Sequence, residues 1–205
     1  MSDIISQLTE LFMQFPGIGP RQARRFVYFL LRQDSIYIKT LLEQIKELRE
    51  SVNECKSCFR FFLSKGFELE NRKSTCELCS DIHADKSILL IIEKDVDLEN
   101  VRKTGKFRGQ YFVLGGLLPI LEKQPESRIR INELRRRLEK DKDIKEVILA
   151  LSANPMGDNT IDYLRLEISK YLNIIISTLG RGLSTGTELE YSDSSTLSHA
   201  LENRR

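Results

Sequence analysis

All four cysteines of the chain fall in two pairs, Cys55-x2-Cys58 and Cys76-x2-Cys79, separated by seventeen residues. A two-residue spacer lets one turn aim two sulfurs at a single ion, and two such turns complete a tetrahedron of thiolates. A site of this kind has no open coordination position, so its chemistry is structural, and zinc is the expected cofactor. Metal binding of this type adds folding free energy, on the order of 10 kcal/mol in zinc-finger peptides. Two disulfides are the alternative, disfavoured in a cytoplasmic chain, and an iron–sulfur cluster is a third option, usually built on other spacings. His83, just beyond Cys79, could replace a ligand; an ordinary exposed histidine is the plainer reading.

A second chemical signal is Pro16-Gly17-Ile18-Gly19-Pro20, set between two amphipathic helices. Gly17 and Gly19 allow a tight turn and leave backbone N–H groups open at a helix N-terminus, a place suited to an anion. Arg21, Arg24 and Arg25 follow on the polar face of the second helix. From Leu11 to Gln33 there are four arginines and no acid; from Asn100 to Leu121, Arg102, Lys103, Lys106 and Arg108 stand with no acid between them. Such local stretches can neutralise phosphates although the net charge is only +2. A contact made through backbone amides and guanidinium groups is indifferent to base sequence. The plainer alternative is a Gly/Pro turn between core helices.

Positioning these residues requires three kinds of element. Ile4, Ile5, Leu8, Leu11, Phe12 and Phe15 recur at helical spacing over residues 2 to 15, capped by Ser2 or Asp3. Pro20 suits the first turn of a second helix, with Ala23, Phe26, Val27, Leu30 and Leu31 on its apolar face and Ile18 anchoring the hairpin. A third helix, 36 to 50, is expected to turn Leu41, Leu42, Ile45 and Leu48 inward. Three short helices bury little core alone, so a staple downstream is expected.

Beyond residue 87 the pattern changes. Ile88–Ile92, Tyr111–Leu114, Val147–Leu151 and Asn173–Thr178 read as buried strands, with helices over 95–103, 131–140 and 159–172 between them. This alternation predicts a mainly parallel sheet covered on both faces. Residues 180–195 read as a loop before a last short helix. The fold class is therefore α+β and multidomain, divided as 1–52, 53–84, 85–180 and 181–205. With 40% hydrophobic and 30% charged residues, the composition is that of a soluble globular protein. The longest aliphatic run, Ile88–Ile92, cannot cross a bilayer. An acid near the N-terminus argues against a secretory signal and for the cytoplasm.

Taken in order, the hairpin, the four-cysteine knuckle and the βα body make the whole chain similar to the RecR family of bacterial recombination mediators. Further stretches carrying the resemblance are Thr104-Gly-Lys-Phe-Arg-Gly-Gln-Tyr111, Val113-Leu-Gly-Gly-Leu-Leu118, Glu146-Val-Ile-Leu-Ala150, Asn154-Pro155 and the tail from Arg181 to Asn203. The resemblance implies that the body is a Toprim domain. In catalytic Toprim proteins a glutamate after the first strand and acids after a later strand hold magnesium. Glu93 stands in the first position. The later loop, Ser152 to Thr160, is short and offers one clear acid, Asp158, fewer carboxylates than a two-metal cleavage site needs.

The resemblance further implies a non-enzymatic protein that assembles as a ring-shaped tetramer or dimer of dimers around DNA. Such a protein works with RecO and RecF at gapped DNA, helping RecA replace single-strand-binding protein. Arg21, Arg24 and Arg25, with Gly17 and Gly19, are then the expected DNA contacts, Glu93 and Asp158 the expected partner contacts, and the tail a subunit contact. The alternative is a metal-dependent Toprim nuclease or primase-like enzyme using Glu93 and Asp158. No Gly-x4-Gly-Lys-Ser/Thr loop is present, so the tail lacks a phosphate cradle for ATP.

Overall fold

The computed structural model describes residues 3–63, 74–180, 182–183, 186 and 188–202. Two units are distinguished, Met1–Val52 and Asn53–Arg205.

The first unit is helical: α1 (Ile4–Met13), α2 (Pro20–Leu30) and α3 (Ser35–Ser51). Asp3 caps α1, its carboxylate accepting from the Ile5 amide at 3.4 Å; Ser2, the other expected cap, lies outside the described residues. Asp34 caps α3 by accepting from the Tyr37 amide at 2.7 Å. Phe12 on α1 meets Phe26 on α2 edge to face at 5.7 Å, and Ala23 and Val27 of α2 are buried. The expected inward face of α3 is not found. Leu42, Ile45 and Leu48 are exposed, as is Leu31 at the end of α2, and α3 buries no residue. The unit is small: Ile4, Leu11, Phe15 and Phe29 are exposed as well, and so few helical residues have too little interior to receive a third apolar stripe.

The second unit begins within β1 (Val52–Glu54), which forms a two-stranded knuckle with β2 (Phe61–Leu63). The body is a four-stranded sheet of β3 (Asp85–Ile92), β4 (Gly109–Val113), β5 (Glu146–Ala150) and β6 (Ile175–Thr178), in the order β4-β3-β5-β6. Each neighbouring pair is parallel, with Ile92 of β3 opposite Val113 of β4 and Ala150 of β5. Alternate residues of β3 serve opposite faces. Leu89 and Ile91 pack into the cluster under α5 (Ile131–Lys140) and α6 (Pro155–Ile168), with Leu134, Leu138, Leu164 and Ile168. Leu90 and Ile92 pack on the other side with Leu98 of α4 (Asp95–Lys103). Both faces being covered, β3 reads as a continuous aliphatic run.

Most strand ends shift by one to three residues from the sequence reading, and the largest differences lie around α6. Helix α6 begins at Pro155, four residues before the expected 159, because Asn154 caps it: the Asn154 side chain accepts from the Gly157 amide at 2.8 Å, and Pro155 fills the first helical position. Asp158, expected in a loop, therefore stands in the first turn of a helix. At the other end α6 stops at Ile168, and Asn173, with φ of 74°, bends the chain into β6 two residues later than expected. The tail carries a 3-10 turn at Leu189–Tyr191 and α7 (Ser194–Glu202). Arg181 and Asn203, part of the family-like tail, lie outside the described residues.

Candidate metal centre and nucleic-acid interface

The two cysteine turns converge. All four Sγ atoms lie within 4.8 Å of one another, with Cys55 3.8 Å from Cys79 and Cys58 3.5 Å from Cys76. These separations are far above the disulfide bond length of about 2.0 Å, and all four residues are free thiols. An ion bonded to four sulfurs at about 2.3 Å spaces them about 3.8 Å apart, close to the separations of Cys55 from Cys79 and of Cys58 from Cys76. Cys55, Cys58 and Cys76 have no solvent exposure, and the Cys55 sulfur also accepts from the amides of Ser57 at 3.4 Å and Cys76 at 3.3 Å. Four thiols packed so closely cannot all ionise without a cation among them. The hydrogen bond with Cys58 holds the Cys55 thiol far below its usual range, and the same bond pushes Cys58 far above it. The donor set can hold a metal ion. His83 is exposed and stands outside this group.

The knuckle is fastened to the sheet from several sides. The Cys58 carbonyl accepts from the Val113 amide at 2.8 Å, extending the hydrogen bonding of β4. The Phe61 amide donates to Asp95 at 2.7 Å, joining β2 to the start of α4. Arg60, 8% exposed, donates to Glu77 at 2.8 Å and to Glu99 at 3.4 Å. Arg137 of α5, equally buried, donates to the Ser57 carbonyl at 2.9 Å, to the Ser57 hydroxyl and to Gln110 at 2.6 Å, and it pairs with Asp141. Sequence reasoning passed over Arg137. The signal was its place at helical spacing among Ile131, Leu134 and Leu138, where a charge must have partners to be buried.

At the hairpin, Gly17 has φ of +75°, a conformation that L side chains rarely adopt. Gly19 has φ of −88° and is the N-cap of α2, with no side chain to satisfy the helix's first amides. Nothing lies within 4 Å of where a Cβ would stand on either glycine. Gly19 is thus not required by backbone conformation, and its lack of a side chain leaves the helix end open. Pro16, Gly17, Gly19, Pro20, Arg21, Arg24 and Arg25 are exposed, and Ile18 is half-buried. The hairpin and its arginines are therefore accessible to solvent.

Glu93 stands where expected, directly after β3, and it is 6% exposed. Ser152 Oγ, after β5, donates to it at 2.6 Å, and the Lys94 ammonium lies 2.8 Å from its other oxygen. Burial works against the charge of Glu93, but Lys94 and Ser152 outweigh it and hold the carboxyl below its ordinary value. A solvated strand-end acid is therefore not what the structure places here. Because β3 is paired with β4 on one side and β5 on the other, Glu93 and Ser152 occupy the point where the connections diverge, the usual ligand crevice of open parallel sheets. Asp158 instead lines a cavity of about 670 Å³ at the ends of β5 and β6, with Asn154, Thr178, Asp193 and Thr196; Glu93 is not among its lining residues. Among the described residues, the cysteines are the one group of three or more ligand-type side chains gathered closely enough for a metal ion.

A helix–hairpin–helix unit followed by a four-cysteine centre and a parallel Toprim sheet defines a class of multidomain proteins with a hairpin head and a Toprim body. Comparison with known families supports both parts: residues 5–49 match the RecR helix-hairpin-helix model, 87–177 a Toprim domain model, and 182–205 the RecR C-terminal model. The chain is 37% identical over 202 residues to "Recombination protein RecR" of Bifidobacterium adolescentis, covering 98% of this chain and 95% of that one. It is 35% identical over 205 residues to the proteins of the same name from Tropheryma whipplei (strain Twist) and Treponema pallidum, covering 100% of this chain and 96% of each relative. The chain belongs to the RecR family of recombination proteins. No helix among the described residues is long and apolar enough to cross a membrane.

Proposed function

We propose that this protein is a non-catalytic, zinc-stabilised DNA-binding mediator of recombinational repair in the cytoplasm. In this reading it forms a ring-shaped tetramer or dimer of dimers around DNA and acts with RecO and RecF to help load RecA at gapped DNA. Residues 1–52 serve as the DNA-binding head, 53–84 as the zinc knuckle, 85–180 as the Toprim body and 181–205 as a subunit contact. Zinc suits the donor set because four thiolates and no open position favour a tetrahedral ion without redox chemistry. It would be held by Cys55, Cys58, Cys76 and Cys79, and would supply a structural cross-link.

The observation that carries the reading is the hairpin. The uncapped N-terminus of α2 at Gly19, the left-handed Gly17 and the exposed Arg21, Arg24 and Arg25 make one surface able to bind phosphate without reading bases. A clamp needs only moderate positive lining, in keeping with a net charge of +2. Exposed Asp158 and the crevice around Glu93 are the surfaces proposed for protein partners. Replacing Arg21, Arg24 and Arg25 together by alanine tests the assignment. DNA affinity measured by fluorescence anisotropy should fall at least tenfold with oligomeric mass unchanged; unchanged affinity in an intact oligomer refutes it.

The rival reading, a magnesium-dependent enzyme, draws on the position of Glu93. Its carboxylate is engaged by Lys94 and Ser152, an arrangement more suited to holding a chain connection than to binding a cation. Cleavage of labelled gapped DNA with magnesium or manganese, lost on Glu93→Gln, would establish the enzyme instead.

A further inference from the structure

The basic stretch after α4 has no part in the hairpin. It runs along the edge strand of the sheet, beside the knuckle. Lys103 ends α4, Gly105 turns with φ of +65°, and Lys106 and Arg108 lead into β4. All three cations are exposed, and no acid among the described residues pairs with any of them. Arg102, by contrast, is engaged by Glu99 at 3.2 Å and Glu77 at 3.9 Å. Next to this loop lies a cleft of about 250 Å³, lined among others by His83, Arg102, Gly105, Phe107, Arg108 and Tyr111. Asp81, on the knuckle side, is the one acid in its wall, and its carboxylate accepts from the His83 amide at 2.9 Å. Tyr111 is 5% exposed and packs edge to face on Phe107 at 5.1 Å, giving the cleft an aromatic floor. Gly109 is dictated by packing, since a Cβ there would stand 2.5 Å from the Phe107 ring and 2.8 Å from the Ile88 carbonyl.

We propose that this cleft and the Lys103–Arg108 loop form a second contact for the DNA backbone, taking one phosphate in the cleft and its neighbours along the loop. The proposal rests on the reading of the protein as a DNA binder, but on different residues. Three exposed cations within six residues favour a polyanion over a single carboxylate. The cleft admits a phosphate and its sugar and is far too small for a duplex, so it grips the backbone of one strand.

The test uses full-length protein with zinc bound and three variants, each removing three positive charges: Lys103→Ala/Lys106→Ala/Arg108→Ala; Arg21→Ala/Arg24→Ala/Arg25→Ala; and, as a control, the exposed Lys140→Ala/Lys142→Ala/Lys145→Ala. Anisotropy titrations with a labelled single strand and a labelled duplex over a range of salt give affinity and its salt slope. The loop variant should bind roughly tenfold more weakly at low salt, with a slope shallower by about 2 on a single strand, at about 0.7 for each phosphate that the variant no longer neutralises. The control should keep the wild-type slope. Wild-type affinity and slope in the loop variant, or an equal weakening in the control, overturn the proposal. A loop variant that fails beside a hairpin variant that binds normally keeps the second contact and removes the hairpin assignment. The reverse removes the second contact and leaves the hairpin.

Discussion

Ser152, after β5, donates a 2.6 Å hydrogen bond to Glu93, after β3, and so ties the C-terminal ends of two neighbouring parallel strands through a buried carboxylate. The position that in catalytic Toprim proteins faces a metal is here closed by a hydroxyl on one side and an ammonium on the other.

Removing the Glu93 charge should therefore weaken the fold rather than an activity. Hydrogen bonds to charged groups contribute about 1.5–3 kcal/mol, so Glu93→Gln should lower unfolding free energy by about 1–2 kcal/mol in urea titrations near neutral pH. The sign of the pH dependence is fixed by the lowered carboxyl pKa. Stability from Glu93 is fully present above its ordinary value of 4.5 and is lost as pH falls through the lower folded value. The gap between wild type and Glu93→Gln should close below that range, and a gap independent of pH would contradict the assignment.

The cysteine centre should bind one zinc ion per chain, measured by plasma mass spectrometry of the purified protein. Cys76→Ser should leave less than one equivalent bound and lower the thermal midpoint by several degrees, since each kcal/mol shifts a domain of this size by about 2–4 °C. A strong chelator should do the same to the wild type. Full stability in metal-free protein would show that the sulfurs are not a staple.

The two hairpin glycines should separate folding from binding. Gly17→Ala forces a left-handed alanine at a cost of about 1–2 kcal/mol and should destabilise the head. Gly19→Ala meets neither strain nor a neighbour and gives up only the N-cap preference of glycine over alanine, so circular-dichroism melting should shift less than for Gly17→Ala. If phosphate approaches the open end of α2, DNA affinity should nonetheless fall severalfold for Gly19→Ala.

Arg137 joins α5, β4 and the knuckle from a buried position. Truncation leaves Asp141 and Gln110 without their partner, so Arg137→Ala should cost about 3–5 kcal/mol by denaturant titration. Zinc should also be released faster to a colorimetric chelator. An exposed substitution such as Arg136→Ala should change neither.

The parts most legible in the sequence were those governed by local spacing. Helices α4 and α5 fall on the expected residues, because apolar periodicity and flanking breaks define them without outside help. The cysteine pairs converge as their spacers require. What the sequence hid was tertiary. The apolar stripe of α3 has the same pattern whether or not anything covers it, so the exposure of Leu42, Ile45 and Leu48 could not be read from periodicity. The start of α6 was obscured by Pro155 and Gly157, residues that usually mark a loop but here belong to a capped first turn. The engagement of Glu93 depends on Ser152, fifty-nine positions away, a separation no local pattern reveals.

The cap at Asn154 limits what this scaffold could become. A Cβ on the buried Gly157 would stand 1.8 Å from the Ser152 carbonyl oxygen, so even alanine there must shift the backbone. The connection after β5 is thereby fixed in length and course, and the hydroxyl that reaches Glu93 hangs from it. Grafting an extra pair of aspartates into this turn would unseat the cap and release Glu93 together. Converting the scaffold into a cation-dependent nuclease would thus demand a rebuilt connection rather than a few point changes.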